Sequence, residues 1–384
     1  MTHNIVVIGG GYAGVMAANR LAPHAVVTLV NPRPRFVERI RLHQLVAGND
    51  DAVAEFGAVL GDTVRVVVDT AERIDTDTRT VALASGAELP YDYLVYAVGS
   101  TGEVPAAVPG AAEFAYPISE LEQAQRLAER LAEVPATAPV VVVGGGLTGI
   151  ETAAELAEAG RPVTMVTDVF GPSLADSGRR SIAKRLARLR VTVLDGSAVA
   201  EVTPEHVVLA DGRRVPSGVT VWTAGFGVPG LAAASGLATD ALGRLRTDET
   251  LTSVSDPHVV GAGDAVAPSD RPWRMSCQAA LPLGAQAANT VLARLAGEAP
   301  AAVNHAMAGQ CISVGRRAGV FQFADVDDTP KRWYIGGRTG AIVKEQVCRF
   351  TLKWIRGEAD KPGSYTWKVD PGRAAVAARA VPVR

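Results

Sequence analysis

Cysteine is scarce in this chain of 384 residues: only Cys277, Cys311 and Cys348, odd in number and widely spaced. Such a set is neither a disulfide framework nor a zinc site, and it fits a reducing compartment. Charge of one sign is also lacking. With 38 basic and 40 acidic residues the formal net charge is −2, and no long basic run occurs, which argues against nucleic acid as the main partner. No uninterrupted apolar run reaches the roughly 18 residues a membrane-spanning helix needs. The start, "MTHNIVVIGGG", enters a strand without the basic region and apolar core of a signal peptide. The expectation is a soluble cytoplasmic protein, with peripheral membrane contact left open. At 48% hydrophobic residues, large cores can form, and the length implies two or three domains.

What the chain does have is one glycine phrase used twice. "IVVIGGGYAGVM" (5–16) returns as "VVVVGGGLTGIE" (140–151). In each copy an apolar run enters the glycines and helical spacing follows. A second apolar run then ends at Asn31 or Thr167. Gly9, Gly11 and Gly14 correspond to Gly144, Gly146 and Gly149, too far apart for a short-period repeat. In a GxGxxG turn the first glycine permits the tight bend. The second lets a pyrophosphate approach the backbone, and the third lets helix and sheet touch. The phosphate then rests on free N–H groups at the helix N-terminus. Two such units suggest two dinucleotides, and a flavin and a nicotinamide can pass a hydride directly.

The predicted fold class is α/β, with two Rossmann-like dinucleotide-binding domains and a C-terminal segment. β-segments are expected at 64–68, 80–100 and 191–225, an amphipathic helix at 121–134 and a linker at 135–139. A further strand and Gly-Asp turn are expected within 244–266.

Five stretches in order resemble the two-dinucleotide flavoproteins of glutathione-reductase-like fold. "VVIGGGYAG" resembles their FAD motif and "VVVGGGLTGIE" their NAD(P) motif. "YDYLVYAVGS" and "VWTAGF" resemble the strands ending in Ala-Thr-Gly, with Val98 in place of the Thr. "VVGAGDAV" resembles the second FAD motif. The resemblance covers about residues 4 to 300. It implies FAD and NAD(P)H as cofactors and these boundaries: FAD-binding 1–115 and 246–310, NAD(P)H-binding 116–245, and a closing segment 311–384. The family's redox cysteine pairs are missing, since no cysteine precedes Cys277. What remains is similar to type II NADH dehydrogenases and apoptosis-inducing-factor-like quinone reductases, on "NPRPRFVERIRLHQLVAG" (31–48) and "SCQAALPLGAQAA" (276–288). That likeness implies a quinone-like acceptor. Gln278 matches one of two family glutamines near the quinone, while Pro282 stands at the other.

For FAD the implied contacts are Gly9, Gly11, Gly14, Asn31, Arg41, Gly99, Gly263 and Asp264. For the nicotinamide nucleotide they are Gly144, Gly146, Gly149, Thr167 and Asp168. A Thr at the strand end, with Asp168 beside it and Arg179 and Arg180 nearby, predicts use of both NADH and NADPH. Glu151 is either the family's glutamate beside the nicotinamide or an acid favoured by the helix dipole. His43 is either a proton relay to flavin or acceptor or a packing residue. The segment 341–357 carries Val343, Val347, Phe350 and Trp354 on one stripe, amid Lys344, Arg349, Lys353 and Arg356. It is read as a helix packed on its own domain or on a second subunit, with an anionic lipid surface as the alternative. The expected activity is FAD-dependent oxidation of NAD(P)H without a redox disulfide. A reductase for a protein carrier or biosynthetic molecule, and a non-catalytic flavin-binding protein, are the alternatives.

Overall fold

The computed structural model describes residues 3–373, so residues 374–384 of the expected closing segment lie outside the described residues. Near-continuous apolar runs form two parallel five-stranded sheets, as expected of strands covered on both faces. In the first, the strand Asn4–Ile8 lies between Val26–Asn31 and Tyr93–Tyr96, with Arg65–Val68 and Val259–Gly261 at the edges. In the second, Val140–Val143 lies between Val163–Val166 and Val219–Trp222, with Thr192–Leu194 and Ala115–Pro117 at the edges. The repeat therefore extends far beyond the glycines. Each half also carries a three-stranded antiparallel meander, Ala71–Pro90 in the first and Val199–Pro216 in the second.

Six helices matter for the site. They are α1 (Tyr12–Leu21), α2 (Leu42–Val46), α3 (Leu121–Glu133), α4 (Leu147–Glu158), α5 (Cys277–Leu295) and α6 (Gly337–Asp360). Every residue of α1 is buried, because α1 lies between the first sheet and α5. A Cβ on Gly284 of α5 would come 2.2 Å from the Ala13 carbonyl oxygen. The two helices thus meet backbone to backbone. In α3, Leu121, Ala124, Leu127 and Leu131 form the buried stripe anticipated from its spacing.

The chain leaves the first domain and returns to it side by side, through the antiparallel pair Thr101–Gly102 and Phe226–Gly227. The return comes earlier than the expected boundary at 245. Ala232, Leu237 and Leu245 are buried in the first domain's core, and the Ala232 N–H donates to the Tyr96 hydroxyl. Sequence punctuation does not mark this crossing, because both sides are short strands and turns.

The closing segment is a brace rather than a separate unit. The strands Gly309–Ser313, Gly319–Ala324 and Pro330–Gly336 form an antiparallel sheet. Ile312, Val314 and Val320 join the second domain's core, whereas Ile355 of α6 joins the first. The expected apolar stripe of α6 is not its buried one. Gly340, Lys344, Cys348, Thr351, Ile355 and Glu358 face inward, while Ile342, Phe350 and Trp354 are exposed. Buried ion partners reverse the usual amphipathic order. Glu358 is 0% exposed. It accepts from Arg20 Nε at 2.6 Å and from the Gly363 and Tyr365 N–H groups. Arg20 also donates to Asn289 and to the Tyr365 carbonyl. Removing one partner strands a buried charge, which costs about 3–5 kcal/mol. Glu358→Ala is accordingly expected to lower the free energy of urea unfolding by that amount, and a loss under about 1 kcal/mol would contradict the brace.

Candidate functional site: two dinucleotide cradles and a buried charged cluster

The first cradle is a cavity of about 290 Å³ lined by Gly9, Gly10, Gly11, Asn31, Arg39, Asp69, Gly99 and Ser100, among others. The glycines act as their spacing requires. Gly9 has φ +107°, and a Cβ there would lie 2.3 Å from the Ala97 oxygen. A Cβ on Gly14 would lie 1.8 Å from the Gly9 oxygen, while one on Gly11 would meet nothing within 4 Å. The middle glycine thus faces open space, as a ligand that presses on the backbone demands. Gly11 is also the N-cap of α1 with no side-chain cap, so the first N–H groups are free for an anion. The second cradle repeats this. Gly144 has φ +115°, a Cβ on Gly149 would lie 2.0 Å from the Gly144 oxygen, and Gly146 faces open space. Gly146 caps α4, again without a side-chain bond. Both cradles fit a dinucleotide.

Asn31 lines the first cavity, but its amide is engaged. Oδ1 accepts from the Gly10 N–H at 2.9 Å, and Nδ2 donates to the Arg33 carbonyl. It pins the glycine turn. Thr167 occupies the corresponding place in the second unit, where a Cβ on Gly145 would lie 2.5 Å from its Oγ1. Thr167 donates to the Val169 carbonyl, and Asp168 beside it is exposed. Arg179 is paired with Asp176. Arg41, expected at the cofactor, is not among the residues lining the first cavity. It is bound to Glu38, Gln44 and Glu345. Three arginines line the cavity, Arg33, Arg35 and Arg39, and Arg39 donates to the Ser100 carbonyl at 2.6 Å and to the Ser119 carbonyl at 3.0 Å. Ser100 Oγ donates to Asp264 Oδ2 at 2.8 Å, and the Ser276 N–H donates to Oδ1 at 3.1 Å. One chain of bonds thus joins the segment after the first unit, the Gly99 turn (φ +73°), the Gly263-Asp264 turn and the N-terminus of α5. Gln278, expected beside the acceptor, is spent on backbone. In the amide orientation that satisfies both neighbours, it donates to the Gly309 carbonyl at 2.8 Å and accepts from the Ala308 N–H at 2.9 Å.

Three parts of the fold meet around Glu151 of α4. Glu151 Oε1 lies 2.9 Å from Lys344 Nζ and accepts from the Ser313 N–H at 2.9 Å. His43 Nδ1 is 3.7 Å from Glu151 Oε2, and His43 Nε2 is 3.3 Å from Ser313 Oγ. All four residues are buried. Burial alone would raise the Glu151 carboxyl. Lys344, His43 and the Ser313 N–H outweigh it and hold the acid below its ordinary range. Burial pulls Lys344 down, but Glu151 more than reverses this, so the ammonium persists. Burial drives His43 down to about 4, leaving it neutral at physiological pH. Neither Lys344 nor Ser313 is distinguishable by sequence spacing. The three cysteines are free. Burial raises Cys277 to about 12 and Cys348 to about 11, and it raises Cys311 as well. They are thiols rather than nucleophilic thiolates.

The cradle geometry separates two glycines by consequence. Gly11→Val adds its side chain into open cavity, so the variant is expected to fold and to lose bound dinucleotide. Gly14→Ala forces α1 from the turn and is expected to lower stability as well. Thermal melting and ligand content after gel filtration check both, and a Gly11→Val protein with full ligand content would refute the cradle.

Residues 3–287 match the family model described as pyridine nucleotide-disulphide oxidoreductase. An NADH dehydrogenase-like protein of Mycobacterium tuberculosis is 34% identical over 321 residues, 75% of this chain and 80% of that protein. The type II NADH:quinone oxidoreductase of the same organism is 27% identical over 347 residues, 78% of this chain and 74% of that protein. Among solved structures, the sulfide:quinone oxidoreductase of Aquifex aeolicus superposes with a TM-score of 0.79 at 22% identity, covering 94% of this chain and 93% of that one, a likeness of fold. The chain belongs to the pyridine nucleotide-disulphide oxidoreductase family.

Proposed function

We propose that the chain passes electrons from NAD(P)H, through FAD in the first cradle, to a quinone, without a redox disulfide. The observation that carries this reading is the buried Glu151–Lys344–His43–Ser313 cluster, which lies where the second cradle's helix meets the C-terminal brace and contains no thiolate. FAD when bound supplies a two-electron carrier between the nicotinamide and the acceptor. The chain's own residues supply position and protons. Gly9, Gly11 and Gly14 admit the FAD pyrophosphate, and Arg39, Ser100 and Asp264 fix the polar wall beyond it. Gly144, Gly146 and Gly149 admit the nicotinamide nucleotide. Glu151, ionised and held by Lys344 and Ser313, is an acceptor-only group suited to the nicotinamide carboxamide N–H₂. His43, neutral and held beside Ser313, can hand a proton on at one ring nitrogen. Gln278 acts as a clamp between α5 and the closing sheet.

A quinone acceptor agrees with the name of the mycobacterial quinone oxidoreductase relative and with the outward face of α6. Among the described residues no helix is long and apolar enough to cross a membrane. Exposed Ile342, Phe350 and Trp354, flanked by Arg349, Lys353 and Arg356, suit peripheral contact with an anionic surface. At the second cradle, exposed Asp168 and the engaged Arg179 leave neither nucleotide strongly favoured, and both NADH and NADPH are accepted.

Anaerobic stopped-flow absorbance tests the reading. NADH is expected to bleach the flavin, and a small soluble quinone to restore its colour, also when all three cysteines are Ser. Glu151→Gln should slow the bleaching at least about tenfold, a loss of about 1.4 kcal/mol of transition-state stabilisation. Recolouring by protein carriers but by no soluble quinone would refute the quinone assignment.

A further inference from the structure

One turn beyond Glu151, α4 carries a second buried acid. Glu155 is 1% exposed. Its Oε2 accepts from Asn49 Nδ2 at 2.7 Å, and its Oε1 has no hydrogen-bond partner among the described residues. Arg316 Nη1 stands 3.6 Å from that oxygen. The arrangement repeats the one around Glu151. Each carboxyl group lies between a side chain from α2 or the loop after it and a cation of the C-terminal brace: His43 and Lys344 for Glu151, Asn49 and Arg316 for Glu155.

The two carboxyls differ in how firmly they are paired. Lys344 is buried at 2.9 Å from Glu151. Arg316 is 38% exposed and shared with Glu345 of α6 at 3.5 Å. Burial therefore dominates at Glu155 and pushes it up to about 7. Arg316 and Asn49 oppose the rise, while Glu151 and Glu158 on the same helix add to it. Residues four apart on a helix are neighbours, about 5–6 Å between Cβ atoms, a span that one water can bridge. Toward solvent, Arg316 lines a cavity of about 340 Å³ that also reaches Ser313, Lys344 and Glu345.

Reduction of a quinone by NAD(P)H takes one proton from solvent. NAD(P)H, H⁺ and quinone give NAD(P)⁺ and quinol: the quinone gains two electrons and two protons, and the nicotinamide loses two electrons with one of those protons. The nearest buried groups are poorly placed to supply the other. Glu151 is held ionised, Lys344 is held protonated, and His43 is neutral well above its value of about 4. Glu155 has an oxygen without a hydrogen bond, and its counterion Arg316 lines a cavity toward solvent.

We propose that Glu155 is the proton store of the site, giving its carboxyl proton through a bridging water to the Glu151–His43 cluster and regaining one from the Arg316-lined cavity. The proton's destination rests on the quinone reading; the store itself does not. The store is filled below about pH 7 and empties above it, so quinone-driven reoxidation should slow as pH rises through neutrality.

The test uses FAD-loaded wild type, Glu155→Gln and Glu155→Asp. Infrared difference spectra across neutral pH should show the carbonyl stretch of a protonated carboxylic acid titrating near pH 7 in wild type. The band should be absent in Glu155→Gln and shifted in Glu155→Asp. In stopped flow, Glu155→Gln should reduce its flavin with NADH within about twofold of wild type. It should reoxidise with a soluble quinone at least about tenfold more slowly, without the pH dependence. Ferricyanide, which takes electrons and no proton, should reoxidise it with much less loss, and Glu155→Asp should regain part of the quinone rate. Absence of a titrating band that depends on Glu155 overturns the store whatever the acceptor is. Equal slowing of both half-reactions, or of quinone and ferricyanide, overturns its role in proton supply. If wild type is not reoxidised by any quinone, the quinone reading falls and the infrared band alone decides on Glu155. If Glu155→Gln does not hold FAD, the wild-type band and its shift in Glu155→Asp decide.

Discussion

Lys344 and Glu151 can be buried only together. Taking either charge out of water alone costs several kcal/mol, and both side chains lie deep where α4, α6 and α2 converge. Their pairing fixes the rotation of α6, and so determines which of its faces looks inward. It also ties the brace to the second dinucleotide unit, while the Arg20–Glu358 pair ties the other end of the same helix to the first. The site is built across parts of the chain that two domain cores alone would not hold in register. Ser313 and His43 complete the cluster from the closing sheet and from α2.

The same pairing divides the electrostatic roles. A carboxylate held ionised, an ammonium held protonated and an imidazole held neutral give the Glu151–Lys344–His43 cluster charges that change little around neutral pH, in contrast to Glu155 one turn on, which burial pushes up to about 7. The thiols nearby are protonated by burial.

Much of this was legible in the sequence, and what was not has physical causes. A GxGxxG turn is a local steric problem, so Gly9, Gly11, Gly14 and their repeats could be placed from spacing alone. The structure shows the close approaches that spacing implies. The ribose-side residues were less legible. Asn31 and Thr167 stand at the expected strand ends, but their side chains are engaged by the loops they touch. Arg39 and Arg41 are two residues apart in a short helical segment and point to different partners, which no periodicity resolves. Lys344 read as one of several cations beside an apolar stripe. Its partner is 193 positions away in sequence, from Glu151 to Lys344, so only the fold reveals that the polar face of α6 is the inward one. The return to the first domain at Phe226–Gly227 was hidden for a similar reason, since it is marked by a long-range strand pair rather than by composition.

A double-mutant cycle on the Glu151–Lys344 pair tests the central claim most directly. Free energies of urea unfolding would be compared for wild type, Glu151→Gln, Lys344→Met and the double variant, all loaded with FAD. If the pair is a mutually compensated buried unit, each single change should cost about 3–5 kcal/mol. The double change should then cost far less than their sum, because no uncompensated charge is left. Additive losses, or single changes within about 1 kcal/mol of wild type, would show that the two groups do not depend on each other and that α6 is held in place by something else.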